Sequence, residues 1–161
     1  MTEILFHVQV AQPIDYACRL LRKALARAAR VVVAGPGETL AQLDHSLWTF
    51  SALDFLPHCF ADAPDAVLRA SPIVLLEQPQ GSLPALPALP HHEVLVHLGT
   101  QVPQGFETFE RLIEVVSTRQ PELLQARTRW RYYAERGYVP QKYEHAASPP
   151  QVASAMDAGA P

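Results

Sequence analysis

Apolar residues along this chain fall into blocks that switch between strand-like runs and helix-like spacing. Ile4-Leu5-Phe6-His7-Val8-Gln9-Val10 is rich in β-branched and aromatic residues and predicts a strand. Pro13 suits the first turn of a helix that the pattern carries to about Ala29, with Ala17, Leu21, Ala24, Leu25 and Ala28 on one face. Arg19, Arg22, Lys23 and Arg27 lie mostly on the other side, where a solvated face is the simplest account. Arg30-Val31-Val32-Val33-Ala34 is a continuous apolar run, as expected of a central parallel strand covered on both faces. After Gly35-Pro36-Gly37, a second helix with Leu40, Leu43 and Leu47 on one face ends near Trp48.

The stretch from Thr49 to Ala70 is less regular and, with Trp48 just before it, holds the cluster Trp48, Phe50, Leu53, Phe55, Leu56 and Pro57. Ile73–Leu76 and Glu93–Leu98 predict two further strands, separated by a Pro-rich loop from Pro79 to Pro90. Phe109, Leu112, Ile113 and Val116 stand at helical spacing, which predicts a helix from about Phe106 to Ser117. Pro121 opens a last helix, Glu122 to Arg136, with Gly137 as its stop. Residues 146–161 are Ala/Ser/Pro-rich and bury too little to offset ordering, so they are expected to form a disordered tail behind a single domain at 1–145. Strands alternating with helices predict an α/β fold of three layers, Rossmann-like, with a mainly parallel central sheet and helices on both faces.

Composition narrows the function. With 161 residues, 48% hydrophobic, the chain suits one core, and a net charge of −3 gives no general basic excess for a phosphate backbone. Cys18 and Cys59 form no Cys-x-x-Cys pair, and Cys18 sits in an apolar helical pattern as a small core residue. Met1-Thr2-Glu3-Ile4 lacks the basic start of a signal peptide and the apolar runs fall short of a bilayer span, which predicts a cytoplasmic protein.

Nucleotide chemistry is not written in the glycines. The first strand is followed by Ala11-Gln12-Pro13 rather than Gly-x-Gly-x-x-Gly. Gly35-Pro36-Gly37 leads into Glu38-Thr39, where a P-loop would have Lys-Ser/Thr and where a carboxylate repels phosphate. No cofactor is expected. His91-His92 before Glu93, and His58-Cys59, are adjacent pairs; on a strand such neighbours point to opposite faces, so no metal site is expected and a polar loop end is the simpler account of His91-His92. No Ser or Cys has a recognisable nucleophile context, and no catalytic residue is assigned.

Two constellations suggest binding instead. Leu47-Trp48-Thr49-Phe50 with Phe55-Leu56-Pro57-His58 either completes the core, which spacing alone favours, or forms a patch that a partner covers. In the last helix Arg127 and Arg131 are i, i+4 neighbours with Trp130 beside them. Three alternatives stay open there. The group clamps an acidic peptide or its terminal carboxylate. It binds single-stranded nucleic acid by charge and stacking. Or the aromatics are core and the arginines snorkel.

Leu47-Trp48 with Phe55-Leu56-Pro57-His58, and Arg127-x-Arg-Trp-Arg-x-Tyr with Gly137-Tyr138, resemble the chi subunit of bacterial DNA polymerase III over about residues 1–145. The resemblance implies a Rossmann-like fold without a nucleotide and an accessory subunit of the clamp-loader complex with no catalytic activity of its own. It implies two partners in DNA replication: the psi subunit, which tethers chi to the clamp loader, and the acidic C-terminal tail of single-stranded DNA-binding protein. By motif, Trp48 and Phe55 belong to the psi surface with Leu56, Pro57 and His58 nearby, and Arg127, Trp130 and Arg131 to the tail site. Leu123 departs from the pattern, since some members carry a Lys one turn before Arg127.

Overall fold

A computed structural model describes residues 1–49, 56–78 and 89–144. Phe50, Leu53 and Phe55, most of the Pro79–Pro90 loop, and the 146–161 tail lie outside the described residues. Seven strands run parallel: β1 Glu3–Val10, β2 Val31–Gly35, β3 His58–Phe60, β4 Ile73–Glu77, β5 Val94–His97, β6 Arg111–Ser117 and β7 Gln141–Glu144. Their spatial order is β3-β4-β2-β5-β6-β1-β7, which puts β3 at one edge and β7 at the other. The helices are α1 Pro13–Ala26, α2 Gly37–Thr49, α3 Asp65–Ala70 and α4 Gln120–Glu135, with a 3₁₀ turn at Phe106–Thr108.

The three layers follow from strand alternation. Val31 and Val33 face one side, where Ala17, Cys18 and Leu21 of α1 and Leu40, Leu43 and Leu47 of α2 cover them. Val32 and Ala34 face the other side, with Phe6, Leu68 of α3, and Ala126 and Tyr133 of α4. β2 is therefore buried on both faces, which is why its sequence is a continuous apolar run. Cys18 is in the core, as its context predicted; burial, with the Asp15 charge nearby, pushes its thiol up to about 11, so it stays protonated and unreactive at neutral pH.

One predicted element is wrong in kind. The segment read as a helix from Phe106 to Ser117 is the 3₁₀ turn followed by strand β6. β6 lies between β5 and β1 and is buried from Leu112 to Ser117, so nearly all its positions are filled for packing. Leu112-Ile113-Glu114-Val115-Val116 is thus a two-sided buried run, and spacing cannot separate such a run from a helix. Three short elements, α3 and the edge strands β3 and β7, also escape the pattern. His91 and His92 precede β5 rather than lie on it. They end the loop, as expected, but His91 is buried there and burial lowers its pKa; His92 packs its ring 5.0 Å from Phe109.

Helix ends differ in instructive ways. α4 stops where predicted: Gly137 has φ +90°, and Tyr138 N–H returns to the Tyr133 carbonyl. α1 stops at Ala26, short of the predicted Ala29, because Ala28 takes the same left-handed role at φ +58° and is exposed instead of joining the buried face. Alanine is strained there by its Cβ. Ala28→Gly is expected to raise stability by about 1 kcal/mol, seen as a higher urea midpoint with an unchanged slope.

Candidate protein-docking surfaces

The arginines of α4 point in different directions, and this sorts their roles. Arg129 turns into the protein and is only 4% exposed. It meets Glu114 of β6, which has no exposure at all. Arg129 Nε lies 3.1 Å from Glu114 Oε2 as an ion pair rather than an aligned hydrogen bond, and its Nη1 donates to the Thr100 carbonyl at 2.8 Å. His97 Nδ1 donates to Glu114 Oε1 at 2.6 Å, and the Tyr133 hydroxyl donates to Oε2 at 2.5 Å. Burial raises the Glu114 pKa, but the His97 and Arg129 charges and the two hydrogen bonds outweigh it and hold the carboxyl at about 2. Burial and the Glu114 charge drive the Tyr133 pKa upward, which keeps its hydroxyl a donor. This network fixes α4 against β5 and β6.

With Arg129 anchored inward, Arg127 and Arg131 emerge on the opposite side, separated from it by two residues each way on a 3.6-residue helix. They line a groove of ≈590 Å³ between α4 and the sheet, together with Leu123, Trp130, Phe6 and Lys142. Trp130 is half-buried with its ring 5.0 Å from that of Phe6, so it forms floor rather than a projecting finger. Leu123 packs on the core and extends that apolar floor. Both groove arginines are exposed, and neither makes a hydrogen bond or ion pair among the described residues. By contrast, Arg119 pairs with Glu122 and Arg136 stacks 3.4 Å over Tyr132. Among the described residues, no carboxylate lines the groove. The structure thus joins Arg127, Trp130 and Arg131, as their spacing suggested, and adds Lys142 from β7.

The second surface lies at the β3 edge. Trp48 at the end of α2 is 59% exposed, which overturns the core reading that spacing alone favoured. Its neighbour Leu47 is core, as is Leu56. Pro57 is exposed. The His58 side chain is covered: Nδ1 lies 2.7 Å from the Leu56 carbonyl, Nε2 2.8 Å from Asp44 Oδ1, and Trp48 stands edge-on to it at 5.4 Å. Trp48 and Pro57 therefore offer surface, while Leu56 and His58 hold it in place.

A third cavity, ≈480 Å³, opens at the C-terminal ends of the strands, lined by Gln12, Thr39, Thr100 and Arg129 among others. Ligands of such folds sit there on helix N-termini. The Glu77 carboxylate lies beside the start of α2, where a Cβ on Gly37 would come 2.6 Å from its Oε2. Among the described residues no group of three His, Cys, Asp or Glu could hold a metal ion, and no helix is long and apolar enough to cross a membrane.

Comparison with known proteins bears on all of this. The family model described as DNA polymerase III chi subunit, HolC, matches residues 1–141. A Pseudomonas aeruginosa protein named DNA polymerase III subunit chi is 32% identical over 150 residues, covering 89% of this chain and 96% of that protein.

Glu114→Gln should show the weight of the buried network. It leaves Arg129 without its counter-charge and is expected to cost about 3–5 kcal/mol in urea unfolding at pH 7. The pH sign follows from the folded carboxyl titrating at about 2, below an unfolded value of roughly 4.3. The stabilisation is full above the unfolded value and is lost as pH falls from there toward the folded one. The wild type should therefore lose more stability than the variant between neutral pH and about pH 3.

Proposed function

This chain belongs to the DNA polymerase III chi-subunit family, and on that premise we propose that it is a replication adaptor without chemistry of its own. Over residues 1–145 it acts as one unit, working in the cytoplasm with the replisome. Its Trp48 surface takes the psi subunit, and through psi the clamp loader. Its α4 groove takes the acidic C-terminal tail of single-stranded DNA-binding protein.

The observation that carries the tail site is the pair of unpartnered arginines flanking Trp130 over an apolar floor. A chain end brings a terminal carboxylate, acidic side chains and an apolar residue together. Guanidinium forks suit the first, groove charge the second and the Phe6–Trp130 floor the third. Direct capture of single-stranded nucleic acid by the same helix is the competing reading. It asks for aromatic faces open to bases, whereas Trp130 is half-buried against Phe6.

The two surfaces lie at opposite edges of the sheet, β3 and β7. Six strand spacings of about 4.8 Å put those edges roughly 29 Å apart. Both partners can then be held at once, as an adaptor requires.

A peptide ending in an acidic segment and a terminal Phe, titrated against the protein, tests the tail site. Arg127→Ala is expected to weaken binding by about 1.5–3 kcal/mol. Affinity should fall as salt rises, because exposed charges are screened over roughly 8 Å at physiological ionic strength. Salt-independent binding, or full affinity in Arg127→Ala, would remove the arginines from the site. Tight binding of bare single-stranded DNA with none of the peptide would favour the competing reading.

The psi surface has its own test. Trp48→Ala should leave unfolding stability within about 0.5 kcal/mol, as for an exposed side chain, while weakening psi by about 2 kcal/mol or more. It should spare the peptide. Loss of both activities would mean that Trp48 supports the fold instead.

A further inference from the structure

The groove holds a cation that α4 does not supply. Lys142 stands on β7, the edge strand that adds to β1 in parallel register, Phe6 opposite Lys142 and Val8 opposite Glu144. Residues paired across a sheet share a face, so Lys142 and Glu144 stand on the side where Phe6 meets α4. Lys142 lines the groove with Arg127 and Arg131. Unlike them it is already engaged, its Nζ 3.3 Å from Glu144 Oε1. Positions two apart on a strand share a face, so Glu144 stands just beyond the groove lining, on the same side of the sheet as Lys142.

We propose that Lys142 reads the acidic side chains of the bound tail, and that Glu144 competes with the tail for it. The inference rests on the groove being the tail site. The cations then divide the work by chemistry. Planar guanidinium forks on the rigid helix suit a fixed terminal carboxylate, whereas an ammonium on a four-carbon stem follows carboxylates whose positions vary. Glu144 serves as the internal stand-in for the tail. With the groove empty it neutralises Lys142; an arriving Asp displaces it. A neutral tail cannot displace it and gains nothing from Lys142. Selectivity for acidic tails therefore comes from β7, and α4 supplies the general hold.

Two peptides separate these roles, both ending in Phe with a free carboxylate, one with Asp residues before it and one with Asn in their place. Binding of each to the full chain is followed by fluorescence anisotropy. Exposed pairs of this kind shift affinity by roughly two- to fivefold. Lys142→Ala is expected to weaken the Asp peptide by that factor and leave the Asn peptide unchanged. Glu144→Gln should strengthen the Asp peptide alone by a similar factor. In the double variant that gain should vanish, because Glu144 acts only through Lys142. Arg127→Ala should weaken both peptides alike. Equal effects of Lys142→Ala on the two peptides, or a Glu144→Gln gain that survives without Lys142, would overturn the inference and leave only a general charge effect. Failure of the wild type to bind either peptide would sink the tail reading itself, and this inference with it. All these side chains are exposed, so circular dichroism should report unchanged folding in every variant.

Discussion

A carboxylate with no access to water sits on an interior strand of the sheet, and the arrangement of the rest depends on how its charge is met. Glu114 draws His97 from β5 and Arg129 and Tyr133 from α4 onto one strand position. Each donor comes from an element that must be correctly placed for the charge to be neutralised. A buried ion left unpaired costs several kcal/mol, so a shifted or rotated α4 is heavily penalised. Helix periodicity then dictates what the opposite side of α4 shows. With Arg129 and Tyr133 held inward, Arg127 and Arg131 can only face the groove, and Trp130 can only lie on Phe6.

The same constraint gives the groove its chemistry. An isolated arginine on a surface helix tends to find a carboxylate nearby, as Arg19 does at Asp15 and Arg69 at Asp65. Arg127 and Arg131 instead stand over an apolar floor built from β1, β6 and α4. That leaves cationic groups beside exposed apolar surface, an arrangement that favours a ligand carrying both negative charge and a hydrophobic end. At the far edge of the sheet, Trp48 is raised on buried Leu47 and supported by His58, which Asp44 and the Leu56 carbonyl hold from below. A rigid sheet between two presented surfaces suits an adaptor.

Much of this was legible in the sequence because its signals are local. β1, β2, β4 and β5 announce themselves as apolar runs, and Pro121 with Gly137 brackets α4. The i, i+4 pair Arg127 and Arg131 with Trp130 was recoverable from helix geometry alone. What escaped depends on distant partners. β7 reads Gln-Lys-Tyr-Glu, exposed at every position, and is a strand only because β1 lies beside it, so Lys142 could not be placed in the groove. β6 reads as a helix because Phe109, Leu112, Ile113 and Val116 fall at helical spacing within a run buried on both faces. A single carboxylate inside Leu-Ile-Glu-Val-Val was itself a usable signal, since a charge in such a run must be paired. Its partners, 17 residues before and 15 and 19 after by the positions of His97, Arg129 and Tyr133, were not deducible from spacing. Spacing cannot place Trp48, because a helix end can expose one neighbour and bury the next, as Trp48 and Leu47 do.

Backbone amide chemical shifts recorded as an acidic, Phe-terminated peptide is added would test the central claim most directly, because they report every surface at once. The account predicts that perturbations concentrate on α4 from Leu123 to Ala134, on β1 around Phe6 to Gln9, and on Lys142, with the Trp48 amide unmoved. Perturbations centred on Trp48 and His58, or on the crevice at Gln12, Thr39 and Thr100, would contradict it.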